Sequence, residues 1–345
     1  MGRDAHALRS LQEVNSTMKY LVPCLFLLSG ALAPAAWGEE RLLAPVQCNF
    51  GSECFVQQYP DVDPGPDARD PFCGSATYDE HNGIDFRILS MRDVEKDVPV
   101  VAVAAGEVLR VRDGEPDELV GSDEQRKRLN GRECGNGLVI AHAEGLETQL
   151  CHLKQGSISV RPGERVVAGQ QVGAVGASGL AQFPHVHLSV RQHGEAIDPV
   201  TGKSLTAGCG NGMSSRDGLF VESVASHLTG DSFLLDVGLT GSPLNYERLV
   251  LDGAPPDATT GDHATVGWAW LGNLQKGDRI KMEIQGPDGA MFSSVVTEPL
   301  DRNKAVFSHF SGRSRPPVAG PYRVRMEVLR ADKVVLTASE EIIVN

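Results

Sequence analysis

Apolar and polar side chains alternate along most of this chain in short runs, the period of two that lays one face of a strand on a core and turns the other to solvent. In the first half the runs cover 83–88, 98–103, 107–111, 138–142, 147–152 and 186–191 and are separated by glycine turns, which predicts strands. In the second half they cover 232–238, 248–251, 264–271, 279–284, 291–296, 305–309, 322–329 and 333–344. There Tyr322, Val324, Met326 and Val328 alternate with Arg323, Arg325 and Glu327. Turn-bounded strands of this kind over about 130 residues predict a β-sandwich of immunoglobulin or fibronectin type. The fold class expected is all-β.

Three stretches break the pattern. Residues 39–78 are rich in Pro, Asp and Gly and read as a loop-like arm tied down by Cys48, Cys54 and Cys73. Its aspartates at 61, 63 and 67 lack the spacing and the glutamate of a calcium loop, so a solvated acidic turn is expected. Residues 113–132 form a polar, charged insertion, with a helix expected near 123–129; it is either a groove wall or plain surface. Gly210-Asn211-Gly212-Met213-Ser214-Ser215 reads as a linker, dividing a domain at 79–209 from a sandwich at 218–345, with 210–217 between them.

The apolar run 20–36 follows Lys19, is interrupted by Pro23 and Pro34, and is too short for a comfortable membrane span. With Ala36-Trp37-Gly38 as a cleavage site, residues 1–38 are expected to be a signal peptide. Ala31-Leu32-Ala33 is a competing cleavage site and Met18 an alternative start. A periplasmic or secreted product follows. Export would remove Cys24 and leave six of the seven cysteines, an even number that predicts three disulfides. Cys134 with Cys151 is one expected pair, because a turn at Glu144-Gly145 would fold the flanking runs back antiparallel. No C-x-x-C pair offers a thiolate metal site.

Candidate chemistry gathers in histidines. Phe183-Pro184-His185-Val186-His187-Leu188-Ser189-Val190 sets two imidazoles two residues apart on a predicted strand, hence on one face. His81-Asn82-Gly83-Ile84-Asp85 places a histidine and an aspartate four apart, and His152 stands in a third strand-like run. Imidazole and carboxylate are ordinary zinc donors, and a hydrolytic zinc takes three protein ligands plus an open position. Each motif alone arises by chance in many proteins; their combination is what carries weight.

In this order the motifs resemble the lysostaphin and LytM type of zinc metallopeptidases, the peptidoglycan endopeptidases. The resemblance covers roughly 79–199. It includes Ala105-Gly106-Glu107-Val108, Gly135-Asn136-Gly137-Leu138-Val139-Ile140-Ala141-His142, Val160-Arg161-Pro162-Gly163-Glu164 and Ala168-Gly169-Gln170-Gln171-Val172-Gly173. It implies an antiparallel LytM-like catalytic domain with Zn2+ on His81, Asp85 and His187 and with His152 and His185 as catalytic residues. Two departures are visible: Leu188 and Ser189 stand where the family pattern H-x-H-F-E has Phe and Glu, and Cys151 stands where a tyrosine is common. Neither removes a ligand. The activity implied is exported, zinc-dependent hydrolysis of peptide bonds in peptidoglycan stems or cross-links. Rival readings are a non-catalytic wall-binding or hydrolase-regulating protein of the same fold, with a regulatory protein as partner, and a secreted protease of glycine-rich proteins.

Charge narrows the partners. The chain carries 45 acidic against 32 basic residues, a net charge of −13, which argues against nucleic acid or an anionic membrane. In the sandwich His263 and His309 sit in no metal-spaced motif, so that domain is expected to dock or target, or to shield one side of the catalytic domain.

Overall fold

Most of the predicted strands form, and those of the first half assemble mainly into a sheet that contains the strand with the H-x-H pair. The computed structural model describes residues 41–210 and 218–345; the expected signal peptide, and the expected linker beyond Gly210, lie outside the described residues. The first eleven strands are β1 (Cys54–Gln58), β2 (Ile84–Ile88), β3 (Pro99–Val101), β4 (Gly106–Arg112), β5 (Asn136–Ala141), β6 (Leu146–Leu153), β7 (Arg165–Val166), β8 (Gln171–Ala174), β9 (His185–Gln192), β10 (Glu195–Asp198) and β11 (Lys203–Ser204). The main sheet runs β1-β2-β9-β6-β5-β4-β7, with every neighbour antiparallel. β10 and β11 hang from β9, while β3 and β8 make a separate ribbon.

β9 lies in the middle of this sheet. Val186, Leu188 and Val190 are fully buried against Ile84, Phe86 and Leu150, each worth about 1.5–3 kcal/mol of burial. A slip of one residue would bury the histidines in apolar packing and expose the valines, so the apolar face fixes the register of the polar one. Three disulfides close the domain: Cys48–Cys54, Cys73–Cys209 and the expected Cys134–Cys151. The last follows from the antiparallel return of β6 along β5, in which Ala141 faces Glu147 and Leu138 faces Leu150. Cys73–Cys209 closes the longest loop, and in the chain-entropy account a loop of that size contributes on the order of 4–5 kcal/mol.

Two expectations are corrected. The arm at 39–78 is no loop throughout, because β1 pairs with β2 at the sheet edge and all five of its residues are buried. With both faces covered, Cys-Phe-Val-Gln-Gln shows no alternation to read. The acidic turn is only partly solvated: Asp67 is exposed as expected and Asp63 is half-buried, but Asp61 is buried. Buried Asp70 accepts the N–H groups of Phe72, Gly74 and Ala76, and Asp61 accepts those of Asp63, Arg69 and Glu80, so these carboxylates satisfy the backbone of the arm.

The insertion has its helix at Asp123–Arg128, started by the Ser122 side chain accepting from Gln125 N–H. It is pinned to the domain: Asp117 accepts the N–H groups of Gln155 and Ala177, and Val120 N–H bonds Ala181 O.

Beyond the linker, Phe220, Val224 and Leu228 pack into the first core. The sandwich strands are β12 (Phe233–Thr240), β13 (Thr265–Leu274), β14 (Arg279–Gln285), β15 (Met291–Val296), β16 (Lys304–Arg313), β17 (Gly320–Arg330) and β18 (Lys333–Val344). A three-stranded sheet β12-β13-β16 faces a four-stranded sheet β15-β14-β17-β18 over a core that includes Leu271, Ile280, Met282, Val324 and Met326. Tyr322 buries its ring there while its hydroxyl accepts from Val318 N–H at 3.1 Å, a corner pin found in immunoglobulin-type sandwiches. One expected strand is corrected. Residues 248–251 lie in a helix, Tyr246–Asp252, begun by Asn245 accepting from the N–H groups of Glu247 and Arg248 and ended at Gly253. Its short apolar run buries Leu249 and Val250 on one side, a pattern that a strand and a helix share.

A third apolar cluster joins the two halves. Phe55 and Phe183 of the first domain pack with Leu235, Trp268 and Trp270 of the sandwich and with Leu249 and Val250 of the helix. Among the described residues no helix is long and apolar enough to cross a membrane.

Candidate metal centre

Strand pairing brings the first three candidates together. β2 and β9 run antiparallel with Asp85 opposite His187 and Arg87 opposite His185, so the aspartate of one motif and the histidine of the other leave the sheet on the same face. His81 comes from the turn before β2. Asp85 Oδ1 lies 3.2 Å from His81 Nε2 and 3.0 Å from His187 Nδ1, and the two ring nitrogens are 3.2 Å apart. Three donors on a tetrahedral ion with bonds of 2.0–2.1 Å would be separated by about 3.3–3.4 Å, so this triangle fits a zinc-sized ion with little adjustment. Among the described residues it is the group of His, Cys, Asp and Glu donors able to hold a metal.

The far side of each ring is held. His81 Nδ1–H donates to Tyr59 O at 2.6 Å and His187 Nε2–H to Asn82 Oδ1 at 3.1 Å, which turns the other nitrogen of each ring toward the centre with its lone pair. Tyr59 belongs to the arm that reads as loop in the sequence, and a backbone carbonyl leaves no mark in a residue pattern. Asn82 stands inside the first motif and could have been found there. Burial alone would raise the Asp85 carboxyl, but the His81 and His185 rings and the hydrogen bonds from His187 and His81 outweigh it and hold the group well below the usual carboxylate range. Burial depresses His81, and the adjacent Asp85 more than reverses it.

His152 and His185 complete the cluster. Their rings lie 4.5 Å apart, and His185 Nε2 is 3.6 Å from Asp85 Oδ1. Burial pushes His152 well below the ordinary imidazole value, helped by the His185 and His187 charges; it also lowers His185 against the pull of Asp85. Both rings are therefore neutral near pH 7. Each donates Nδ1–H to a carbonyl at 2.8 Å, Ser178 O for His152 and Phe183 O for His185, leaving Nε2 unprotonated.

Simple alternation does not place His152. Cys151 lies opposite His187 and faces the cleft, so the next residue of a regular strand would point into the core. His152 instead has φ +63°, a left-handed backbone that non-glycine residues avoid, and the kink returns its ring to the histidine cluster. Cys134 O accepts the His152 N–H at 2.9 Å, so the segment anchored by the Cys134–Cys151 bridge also holds the kink.

His81, His152 and His187 border a cleft of about 240 Å3 whose walls also include Tyr78, Glu133, Gln149, Leu180 and Arg191, while Asp85 and His185 are buried and outside that lining. Ser189 faces it as well. Gly83 sets the closest approach to the metal triangle: a Cβ there would meet Leu188 O and come within 2.6 Å of His187 Nε2. Gly83→Ala is expected to displace His187 and weaken metal binding about 10- to 100-fold, as an overpacking cost of about 1–3 kcal/mol implies, with the circular dichroism spectrum unchanged. Metal titration by calorimetry measures this; wild-type affinity in the variant would contradict it.

Residues 79–199 match the model of Peptidase family M23. A DD-carboxypeptidase/endopeptidase Mpg of Neisseria meningitidis serogroup B is 37% identical over 67 residues, 19% of this chain and 15% of that protein. An uncharacterized metalloprotease of Haemophilus influenzae is 26% identical over 152 residues, 44% of this chain and 26% of that protein. The chain thus spans well under two thirds of the length of either relative. Among solved structures, the catalytic domain of the prophage-encoded M23 protein EnpA from Enterococcus faecalis is 24% identical and covers 45% of this chain and 96% of its own, with a TM-score of 0.31.

Proposed function

We propose, from the premise that residues 79–199 are a peptidase family M23 domain, that this chain is an exported zinc endopeptidase cutting peptide bonds in peptidoglycan stems or cross-links. The observation that carries the reading is the convergence of His81 Nε2, Asp85 Oδ1 and His187 Nδ1 beside two neutral imidazoles. In this reading His81, Asp85 and His187 hold Zn2+, and His152 and His185 do the proton work. The division into a catalytic domain at 79–209 and a sandwich at 218–345 belongs to the same reading, as does a signal peptide at 1–38 with a periplasmic or secreted product. Peptidoglycan is the partner. The printed name of the meningococcal relative favours bonds between D-amino acids within that substrate.

When bound, zinc supplies Lewis-acid polarisation of the scissile carbonyl and acidifies the attacking water. His152 and His185 each keep Nδ1–H on a fixed carbonyl, so each can act only through Nε2. One Nε2 takes the proton of the attacking water, and protonated it becomes a donor to the leaving amine or to the tetrahedral oxyanion. Burial favours this exchange, because a ring that resists protonation at rest gives the proton up readily. Asp85 stays ionised throughout, and its negative charge balances the cationic centre.

The test is digestion of purified sacculi in parallel with glycine-rich peptides, scored for new amino termini and new reducing ends. New amino termini from sacculi without new reducing ends are expected. Cleavage confined to the glycine-rich peptides would replace the substrate class, and reducing ends alone would contradict peptidase chemistry.

A further inference from the structure

One buried cation sits at the junction of the two domains with no part in the metal triangle. Arg87 follows Asp85 by two on β2, lies opposite His185, and is fully buried. Its guanidinium bonds neutral oxygens: Ile88 O at 3.2 Å, Leu89 O at 3.0 Å and Gln57 Oε1 at 2.5 Å. Burying a guanidinium without a carboxylate is costly, and what surrounds Arg87 instead is aromatic. Its Cζ lies 4.8 Å from the ring centroid of Trp270, on sandwich strand β13, and 5.0 Å from that of Phe183. The Phe183 ring in turn stacks on His185, with centroids 4.4 Å apart and planes 28° from parallel, and Phe183 O is the acceptor that fixes His185 Nδ1–H. Both the ring contact and the tautomer anchor of His185 therefore run through Phe183. Phe183 precedes β9 and is outside its ladder, so its ring is held by side chains alone: Arg87 against its face and the apolar cluster that includes Trp270.

We propose that Trp270 and Arg87 are positioning residues, through which the C-terminal sandwich sets the ring of His185 by way of Phe183. The sandwich then serves as part of the frame of the reacting centre, beyond the docking role that its lack of candidate ligands suggests. The position of Arg87 supports this: its hydrogen bonds fix the guanidinium on the β1–β2 side, its π contacts reach Trp270 and Phe183, and Trp270 is 1% exposed, packed with Trp268 and Leu235. Removing the indole would take away one of the two π faces on the guanidinium and part of the cluster around Phe183, leaving hydrogen bonds to Ile88 O, Leu89 O and Gln57 Oε1 to hold Arg87 and giving the Phe183 ring room to move. A displacement of about 1 Å at a catalytic group can cost on the order of 100-fold in rate.

The proposal rests on the reading of His185 as a proton carrier, and its test separates the two. In the full chain, Trp270→Leu keeps apolar volume without a strong π face, Trp270→Phe keeps a smaller π face, and Ile280→Ala weakens the other sandwich core without touching Arg87. Metal content, kcat and KM on a soluble peptide, melting temperature and the imidazole NMR signals of His185 are measured for each. Trp270→Leu is expected to lower kcat about 10-fold or more with KM and metal content within about twofold, and to shift the His185 signals. Trp270→Phe should restore most of the rate, and Ile280→Ala should lower the melting temperature with kcat and the His185 signals unchanged. If Trp270→Leu does not fold, Phe183→Leu examines the same stack. Unmoved His185 signals in Trp270→Leu, or an equal loss of kcat in Ile280→Ala, would overturn the proposal. A wild type without turnover would overturn the peptidase reading, and the His185 signals would still decide the positioning.

Discussion

Alanine at His152 or His185 is expected to leave the metal in place while lowering kcat by about 100- to 10,000-fold, the range that a positioned acid or base contributes. The geometry separates these two residues from the ligands. Their Nε2 atoms belong to rings that burial keeps neutral and whose Nδ1–H groups are committed to Ser178 O and Phe183 O. Neither ring is needed to close the 3.0–3.2 Å triangle of His81, Asp85 and His187. The expected loss corresponds to about 3–5 kcal/mol of transition-state stabilisation, with KM little changed because neither ring holds the substrate in its ground state. Steady-state kinetics beside metal analysis of each variant checks this. A His185→Ala protein that lost its metal while His187→Ala kept it would reverse the assignment within the H-x-H pair.

The ligand variants should fail in the opposite order, losing metal first and turnover as a consequence. His81→Ala, Asp85→Ala and His187→Ala each remove one of three protein donors, and two donors hold the ion far more weakly than three. Asp85→Ala should be the most damaging, because Asp85 is 2% exposed and its charge is the negative partner that the histidine cluster is built around. Asp85→Asn keeps the shape and loses the charge, and is expected to bind metal more weakly than wild type but measurably. Zinc titration by calorimetry gives the comparison. Wild-type affinity in any of the three alanine variants would remove that residue from the ligand set.

How much of this could be read from the chain depended on whether a side chain's role is local. Val186, Leu188 and Val190 announce β9, and the same period of two sets His185 and His187 on its other face. The pairing that brings Asp85 opposite His187 needs the fold, but H-x-x-x-D and H-x-H mark the residues it joins. His152 was legible only through the family resemblance, since its positive φ breaks the rule that would otherwise point it inward. β1 and the helix at Tyr246–Asp252 were misread for a related reason: a short run covered on both faces, or buried on one side of a two-turn helix, has no period of its own. Arg87 was invisible. A lone arginine in a strand reads as solvent-facing, and the rings that hold it come from Phe183 and from Trp270 in another domain.

The account stands most directly on elemental analysis of purified protein that is active on sacculi. About one zinc per chain is predicted, with activity lost on chelation and regained on adding zinc. Active protein with no stoichiometric metal would contradict the assignment of His81, Asp85 and His187 as a hydrolytic metal centre.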